Sequence, residues 1–328
     1  MDLRQLEILR AVAERGSFTA AGRHLHLSQS AVSRQILLLE DELNEPLFLR
    51  IGRKVRITPA GEQVLQLSHR IFHDMKETRS AIREGQDALT GTLRLMGGMT
   101  VCLYVFPQLV KEYRRLHPGV EVKVTPGTAT RVLRKFRSGH ADVALLTLPI
   151  DDTNLVTVPV MQEELLLVTA PGHALASRRR VTAQDLTRQP FVLFEAGSNT
   201  RRVLDEFFLH ERIKPRIVTE TENVEIIKAM IRVGLGVSIL PYQAVAAEVR
   251  SGQLYCTRLA GHTLVRETGW VYPRSHRIPR MVLEMMKALD RLLPTLRLAP
   301  SSGGGTPGRS KVVPMMAATA SKRSGDVS

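Results

Sequence analysis

Four polar side chains, Gln29, Ser30, Ser33 and Arg34, fall within six residues near the amino terminus. An arginine can donate two hydrogen bonds to a guanine edge, a glutamine can bond an adenine edge, and a serine can bond a base or a phosphate. A helix that presents them on one face could therefore contact bases in the major groove of DNA. For an isolated helix, the better interpretation would be a face that is only solvated.

Two short amphipathic helices must position this group. Ser17 and Ser28 each precede an apolar-periodic run, where a hydroxyl can accept a hydrogen bond from a first-turn backbone N–H. The predicted buried stripes are Phe18, Ala21 and Leu25 in the first helix and Val32, Ile36, Leu39 and Leu43 in the second. A turn at residues 26–27 joins the two helices, so the pattern favours DNA recognition over simple solvation.

A basic β-hairpin wing is predicted next. Its strands are residues 47–49 and 55–57, and its turn is residues 50–54. The wing carries four cations and no acid: Arg50, Arg53, Lys54 and Arg56. Such a cluster can contact the phosphates beside the groove. The alternative is a solubilising turn without a partner.

A long helix is predicted over residues 59–89, with Thr58 as its cap and Pro59 as its first residue. Thirty residues of helix would be about 45 Å long, which is too long for the edge of a compact domain. We expect this helix to pair with its copy from a second subunit, so that two recognition helices meet two half-sites of a roughly symmetric operator. A lone connector helix is the alternative.

These residues resemble the LysR-type transcriptional regulators. The matching segments are LRQL at 3–6, GSFTAA at 16–21, SQSAVSRQI at 28–36, LE at 39–40, PLF at 46–48 and TPAG at 58–61. The resemblance is dense over the first sixty-odd residues and continues more loosely to about residue 298. It implies an N-terminal all-α winged helix-turn-helix at 1–58, a linker and dimerisation helix at 59–89, and a two-lobed, periplasmic-binding-protein-like effector domain.

Beyond residue 90 the sequence alternates between strand-like and helical segments, which indicates an α/β fold. Apolar runs at 93–96, 120–124, 143–147, 165–169, 191–194 and 237–240 predict buried strands. The alternation predicts a mostly parallel sheet with helices on both faces. From the resemblance we expect the effector domain at 92–299, with one lobe from 92–161 and 267–299 and the other from 162–266. Residues 300–328 are predicted to be a disordered tail.

Ligands of such sheets bind beyond the carboxyl ends of the strands, where helix N-termini favour anions. The candidate effector-binding residues are Gly98, Met99, Thr100, Thr147, Ser198, Asn199, Thr200 and Asn223. Relatives often have serine or threonine where this chain has Gly98. That departure leaves Thr100 and backbone N–H groups as donors for a carboxylate, or else leaves room for a bulkier ligand. Ser198, Asn199 and Thr200 could instead be only helix caps.

The net charge of +14 does not by itself indicate DNA binding. Residues 1–89 contain nearly equal numbers of basic and acidic side chains, and most of the excess lies in the effector half. DNA binding must therefore depend on local clusters such as the wing. A basic effector half is compatible with an acidic ligand, and surface solvation explains the excess equally well.

Several functional classes are disfavoured by the sequence. Cys102 and Cys256 lie far apart and indicate two reduced, partly buried thiols, and the histidines show no metal-ligand spacing. No serine lies in a nucleophile elbow, so we expect neither an enzyme nor a bound metal or other cofactor. No apolar run approaches the roughly 18 residues of a membrane span, and the N-terminus lacks a signal peptide, so we expect a cytoplasmic protein that does not enter membranes.

The predicted function is sequence-specific transcriptional regulation, controlled by a small-molecule effector in the interlobe cleft. The expected partners are double-stranded promoter DNA, the effector, RNA polymerase and further copies of the chain in a dimer or tetramer. A small-molecule binding protein whose N-terminal module mediates protein contacts is the main alternative. An enzyme built on the two-lobed domain is a weaker one, and turnover of a bound metabolite would identify it.

Overall fold

A computed structural model describes residues 1–51, 54–83, 89–176, 178, 180–274 and 278–300. The chain folds into two compact units. The first contains Met1–Leu89 and Leu133–Ala141, and the second contains Thr90–Val132 and the chain from Asp142 onward. The predicted helix-turn-helix lies in the first unit and most of the predicted effector domain in the second. The predicted tail lies, from residue 301, outside the described residues.

Helices and one hairpin form the described part of the first unit up to residue 83. In chain order they are α1 (Leu3–Arg15), α2 (Phe18–Leu25), α3 (Gln29–Leu43), β1 (Phe48–Ile51), β2 (Lys54–Ile57) and α4 (Pro59–Arg83). A capping box starts α1: the Asp2 carboxylate accepts from the Gln5 amide at 2.7 Å, and the Gln5 side chain accepts from the Asp2 amide at 2.9 Å. The order matches the predicted winged helix-turn-helix.

The caps predicted for the helix-turn-helix are confirmed. The Ser17 hydroxyl accepts from the Ala20 amide at 3.3 Å, and the Ser28 hydroxyl accepts from the Ala31 amide at 3.1 Å. Each bond satisfies one of the first-turn N–H groups that have no acceptor within the helix. The starts of α2 and α3 are therefore set by local chemistry.

One apolar cluster joins α1, α2 and α3. Its members include Ile8, Leu9, Val12, Phe18, Ala21, Val32, Ile36, Leu39 and Leu47. The predicted stripes are thus confirmed at every position except one, and Leu25 is partly buried against the cluster. Leu43 was predicted to be buried and is 36% exposed. It lies in the last turn of α3, one turn beyond Leu39.

The strands of the wing have different boundaries from those predicted. β1 and β2 pair antiparallel, with Phe48 opposite Ile57 and Ile51 opposite Lys54. The strands therefore include positions 50, 51 and 54, which the sequence pattern assigns to the turn. Ile51 is β-branched, a residue type that is common in strands. The connection is only residues 52–53, which lie outside the described residues.

The long helix α4 starts as predicted. The Thr58 hydroxyl accepts from the Gly61 amide at 3.0 Å, and Pro59 is the first helical residue. α4 has 25 residues up to Arg83, about 38 Å at the usual rise per residue. Residues 84–88, where the helix was predicted to continue, lie outside the described residues.

The remaining elements run from residue 91 to 295. They are β3 (Gly91–Gly97), α5 (Met99–Tyr104), α6 (Phe106–Leu116), β4 (Val120–Pro126), α7 (Ala129–Arg137), β5 (Val143–Thr147), β6 (Leu155–Thr169), β7 (Pro190–Leu193), α8 (Asn199–His210), β8 (Arg216–Glu220), α9 (Val224–Arg232), β9 (Ser238–Pro241), α10 (Tyr242–Arg250), β10 (Tyr255–Thr257), β11 (Leu264–Pro273) and α11 (Arg280–Leu292), with 3-10 turns at Ala183–Leu186 and Leu293–Thr295. Each predicted apolar run overlaps a strand. The strands β8, β10 and β11 and the helices α5, α10 and α11 were not predicted.

Seven strands form one sheet in the order β10-β6-β11-β5-β3-β4, and β9 also pairs with β6. The prediction of a mostly parallel sheet is wrong. β3 is parallel to β4 and β5, whereas β11 is antiparallel to β5 and β6, and β9 and β10 are antiparallel to β6. β6 spans fifteen residues, and its positions 156–160 alternate between half-buried and exposed. This alternation is typical of an antiparallel strand with one solvent-exposed face. The sequence analysis recognised only the apolar run at 165–169 and missed the alternation before it.

Packing against the sheet occurs on both faces of β6. Leu165 and Leu167 belong to a cluster that contains Phe207 and Phe208 of α8. Val168 belongs to a second cluster, formed largely with α9 and α10. Successive strand residues point to opposite faces, so one strand serves both clusters. Farther along the chain, α11 returns to α6, where the Tyr113 hydroxyl donates to the Met281 carbonyl at 3.1 Å.

Candidate functional site

The exposed face of α3 carries the predicted base-contacting residues. Gln29, Ser30 and Arg34 are exposed, and Ser33 is half-buried, while Val32 lies in the core on the opposite side. The Ser30 hydroxyl is 2.9 Å from the capping hydroxyl of Ser28. Arg34 has no hydrogen-bond or ion-pair partner among the described residues. Its guanidinium is therefore available to an outside acceptor.

A glycine that the sequence analysis did not single out fixes the turn before α3. A Cβ on Gly22 would lie 2.7 Å from the carbonyl oxygen of Leu27, closer than real Cβ atoms approach. The Leu27 amide donates to the Gly22 carbonyl at 2.8 Å, and His26 ends α2 at φ 56°. The close approach sets where α3 begins. The signal for this close approach that the sequence offered was a glycine inside an amphipathic helix.

The wing residues are only partly described. The backbones of Arg50 and Lys54 lie in the paired strands β1 and β2, and their side chains are outside the described part of the structure. Arg53 also lies outside the described residues. Arg56, in β2, is exposed. The hairpin therefore has the predicted form, and its phosphate contacts stay a prediction.

A cleft of about 240 Å³ lies in the second unit. It is lined by the start of α5, the segment before and in α7, the end of β5, the start of α8 and one residue of β11. The structure brings together there all the predicted effector-binding residues except Asn223: Gly98, Met99, Thr100, Thr147, Ser198, Asn199 and Thr200. The apolar lining includes Leu146 and Phe194.

Asn223 has a structural role instead. Its side-chain oxygen accepts from the Glu225 amide at 2.9 Å and so caps α9. The neighbouring Glu222, which is exposed, lines the cleft. Asn223 is not among the residues that line the cleft, and its assignment to effector binding stays a prediction.

Two more predicted residues use their side chains for hydrogen bonds within the protein. The Ser198 hydroxyl caps α8 by accepting from the Arg201 amide at 3.2 Å. The Asn199 amide group donates to the Pro149 carbonyl at 3.2 Å and to the Thr147 carbonyl. Asn199 thus ties the start of α8 to the end of β5. The capping interpretation accounts for Ser198, and it does not account for Asn199 or Thr200.

Thr200 contacts Arg266, a residue that the sequence analysis missed. Its hydroxyl accepts from Nη1 of Arg266 at 2.9 Å, and the Arg266 Nε donates to Glu163 Oε2 at 2.8 Å. Arg266 and Glu163 are 3% and 1% exposed, and Arg266 lines the cleft. The hydroxyl of Thr268 also donates to Glu163, at 3.2 Å. The available signal was that Arg266 and Thr268 share a strand face with the buried Trp270.

The two cysteines are free and half-buried, as predicted. Burial raises the pKa of the Cys102 thiol to about 11, and its Sγ contacts the Gly97 carbonyl at 3.4 Å. Burial likewise raises the pKa of Cys256. Within the described residues no three histidine, cysteine, aspartate or glutamate side chains are grouped so that they could hold a metal ion. Every described helix is too short or too polar to cross a membrane.

Two family descriptions match successive parts of the chain. Residues 3–62 match "Bacterial regulatory helix-turn-helix protein, lysR family". Residues 86–293 match "LysR substrate binding domain". The first match contains α3, and the second contains every residue that lines the cleft.

Relatives of known role are similar along most of the chain. The transcriptional activator CmpR of Synechocystis sp. is 30% identical over 276 residues, covering 84% of this chain and 90% of CmpR. The transcriptional regulator CfxR of Cupriavidus necator is 30% identical over 266 residues, covering 81% and 84%. The RuBisCO operon transcriptional regulator of Allochromatium vinosum is 30% identical over 278 residues, covering 85% and 92%.

Solved structures share the fold. A full-length OxyR variant from Pseudomonas aeruginosa superposes with a TM-score of 0.75 at 24% identity, covering 92% of this chain and 99% of that one. ArgP from Mycobacterium tuberculosis gives a TM-score of 0.72 at 21% identity, covering 90% and 98%. CbnR in complex with its target DNA gives 0.62 at 24% identity, covering 89% and 99%.

Proposed function

The chain belongs to the LysR-type transcriptional regulators, which bind DNA and carry an effector-binding domain, and on that premise we propose that the exposed face of α3 reads its operator. The proposed base-contacting residues are Gln29, Ser30, Ser33 and Arg34. The observation that supports this most is the orientation of α3: its apolar side is buried by α1 and α2, and its polar side is left to solvent. A helix held in this way can enter the major groove.

The wing is proposed to contact the DNA backbone. Arg50, Arg53 and Lys54 belong to or adjoin the β1–β2 hairpin, which follows α3 directly. Phosphate contacts give affinity and orientation without selecting a sequence. We therefore assign sequence selection to α3 and general affinity to the wing.

The chain is proposed to act as a dimer or a tetramer, with α4 as the dimerisation helix. A helix of 25 described residues offers a long surface for a second copy. Two copies would place two α3 helices at a fixed separation, so the operator would consist of two half-sites. RNA polymerase is the proposed downstream partner, and the cytoplasm is the proposed location.

A small-molecule effector is proposed to bind in the cleft between two lobes, one from residues 92–161 and 267–299 and the other from 162–266. The two lobes belong to an effector domain at 92–299. Binding would favour one arrangement of the lobes or subunits, and so alter the spacing or bending of bound DNA. The chain is proposed to act without catalysing a reaction, as the relatives named above are transcriptional regulators.

The test is binding of the purified full-length protein to a duplex from upstream of its own gene. Fluorescence anisotropy over a salt series would compare that duplex with a scrambled one of equal length. We expect specific binding to be at least about a thousandfold tighter, with a steep dependence on salt. Equal weak binding to both duplexes, and to tiled duplexes from the neighbouring promoters, would favour the small-molecule binding protein whose N-terminal module mediates protein contacts.

A further inference from the structure

Two neighbouring leucines in the middle of α3 are left at the surface. Leu37 is 55% exposed and Leu38 is 47% exposed. Ile36 and Leu39, on either side of them in the chain, belong to the apolar cluster of α1, α2 and α3, whereas neither of the two leucines is part of that cluster in the described residues. Single exposed leucines are common on protein surfaces, so what matters is the direction in which each side chain lies.

Leu37 shares the proposed base-contacting face of α3. At about 100° per residue, the four polar side chains proposed to contact bases cover an arc of roughly 140° on the helix surface, in the order Gln29, Ser33, Ser30 and Arg34. Leu37 lies near the middle of this arc and is the one apolar side chain within it. The face that would meet the base edges therefore has an apolar group between polar ones.

Leu38 lies in a different direction. It is about 100° farther round the helix than Leu37, outside the arc and beyond its Arg34 edge. The two leucines are thus adjacent, of one residue type and similarly exposed, and they differ in the face that they occupy. Leu38 is therefore a matched control for any role of Leu37 on the base-contacting face.

Leu37 is close enough to the polar side chains to meet the same stretch of DNA. It lies one turn beyond Ser33 and Arg34, at spacings of four and three residues, where side chains on a helix are about 5–6 Å apart. The rise from Gln29 to Leu37 is about 12 Å, which is comparable with the width of the major groove. A helix that brings Gln29 to the bases can therefore bring Leu37 to them as well.

The acidic side chains of α3 begin after Leu37. The first is Glu40, whose Oε1 accepts from the backbone amides of Leu47 at 2.6 Å and Phe48 at 3.1 Å. The next is Asp41, which is exposed four residues after Leu37. Phosphates repel a carboxylate, so we expect the part of α3 that faces DNA to end before Asp41. Leu37 lies within that part.

A leucine side chain has no hydrogen-bond donor or acceptor, so it can select a base only through an apolar contact. In the major groove the C5-methyl group of thymine is the apolar group that distinguishes one base from the others. We propose that Leu37 is a specificity-determining residue that packs against the methyl group of a thymine in each operator half-site. The inference rests on the proposed function, since it adds a residue and a base to the same DNA-reading face.

The test is anisotropy binding of the full-length protein to the duplex that it protects upstream of its own gene, with each thymine replaced in turn by deoxyuridine. Deoxyuridine pairs with adenine as thymine does and lacks only the C5-methyl group. At one thymine of each half-site, the replacement should weaken binding by about fourfold, the effect of losing one buried methyl group. Replacement in both half-sites together should weaken it by about fifteenfold.

The decisive variant is Leu37→Ala. The side chain is exposed and alanine favours the helix, so the protein should fold as the wild type does. The variant should bind the thymine duplex more weakly, and it should bind the thymine and deoxyuridine duplexes equally at the sensitive position. The control Leu38→Ala should keep the full difference between the two duplexes. Leu37→Met, which keeps an apolar side chain of similar size, should keep most of it.

Two results would overturn the thymine contact and leave the proposed function standing. One is specific binding that no deoxyuridine replacement weakens. The other is a Leu37→Ala protein that still distinguishes thymine from deoxyuridine as the wild type does, because another residue would then contact the methyl group. A protein that binds none of the duplexes specifically would contradict the proposed function and this inference with it.

Discussion

The proposed DNA-reading face of α3 and the proposed effector cleft differ in how their residues come together. The α3 face is formed by side chains within six consecutive positions, and Arg34 among them has no partner in the described residues. The cleft draws on residues from Gly98 to Arg266, and several of its polar groups are already bonded to the protein. Substitutions on α3 should therefore change binding with little effect on stability, whereas those behind the cleft should change stability as well.

Glu163→Ala should give the largest effect on the cleft side of this comparison. It leaves the charge of Arg266 buried without its carboxylate, and breaking a buried pair in this way costs about 3–5 kcal/mol. Scanning calorimetry of the full-length protein should show a lower transition temperature for the second unit. The control Glu222→Gln changes an exposed acid of the same cleft and should be nearly neutral. Equal melting temperatures for the two variants would contradict the structural role of the Arg266–Glu163 pair.

Arg34→Ala tests the α3 side. Removal of a base-contacting side chain should weaken specific DNA binding by about 1–3 kcal/mol, while the melting temperature stays unchanged because the side chain is exposed. Anisotropy with the specific and scrambled duplexes measures the change. Arg114→Ala removes an exposed cation from the second unit and serves as the charge control. If both variants lose the same affinity on both duplexes, Arg34 contributes only charge.

Ser28→Ala probes how α3 is held in place. Losing the hydroxyl that accepts from the Ala31 amide should destabilise the first unit by about 1 kcal/mol. Ser28→Asp keeps a capping oxygen and should restore the stability. The measurement is the calorimetric transition of the first unit. A Ser28→Ala protein as stable as the wild type would mean that tertiary packing alone fixes the start of α3.

Replacing Arg53 and Lys54 by alanine should give the smallest and least selective change. The salt dependence should become shallower by about one unit of slope for each DNA phosphate that these side chains no longer neutralise, and equally so for specific and scrambled duplexes. Anisotropy over a salt series measures the slope. An unchanged slope would assign the phosphate contacts to other residues.

The sequence was most informative where structure depends on near neighbours. Ser17, Ser28 and Thr58 each cap the helix that follows them, and each was identified from its position before a periodic run. Gly22 was overlooked because its requirement is a close approach to Leu27 across the turn, and the helical pattern does not record it. The turn residues of the wing were misassigned for a related reason, since pairing extends a strand beyond its apolar core.

The sequence was least informative where distant segments meet. Thr100 and Thr200 were identified because they lie near the starts of helices that follow strands, and the cleft contains both. Arg266 was missed, because its importance depends on Glu163 and Thr200, which are far from it in the chain. Asn223 was assigned to the cavity from its position before a helix, and the same position made it a cap.

The most direct test of the central claim is a footprint of the wild-type protein on the DNA upstream of its own gene. If two α3 helices read the operator, two protected segments should lie on one side of the duplex, about one helical turn or a multiple of it apart. Uniform protection without discrete segments, at concentrations where the protein binds that DNA, would contradict sequence reading by α3.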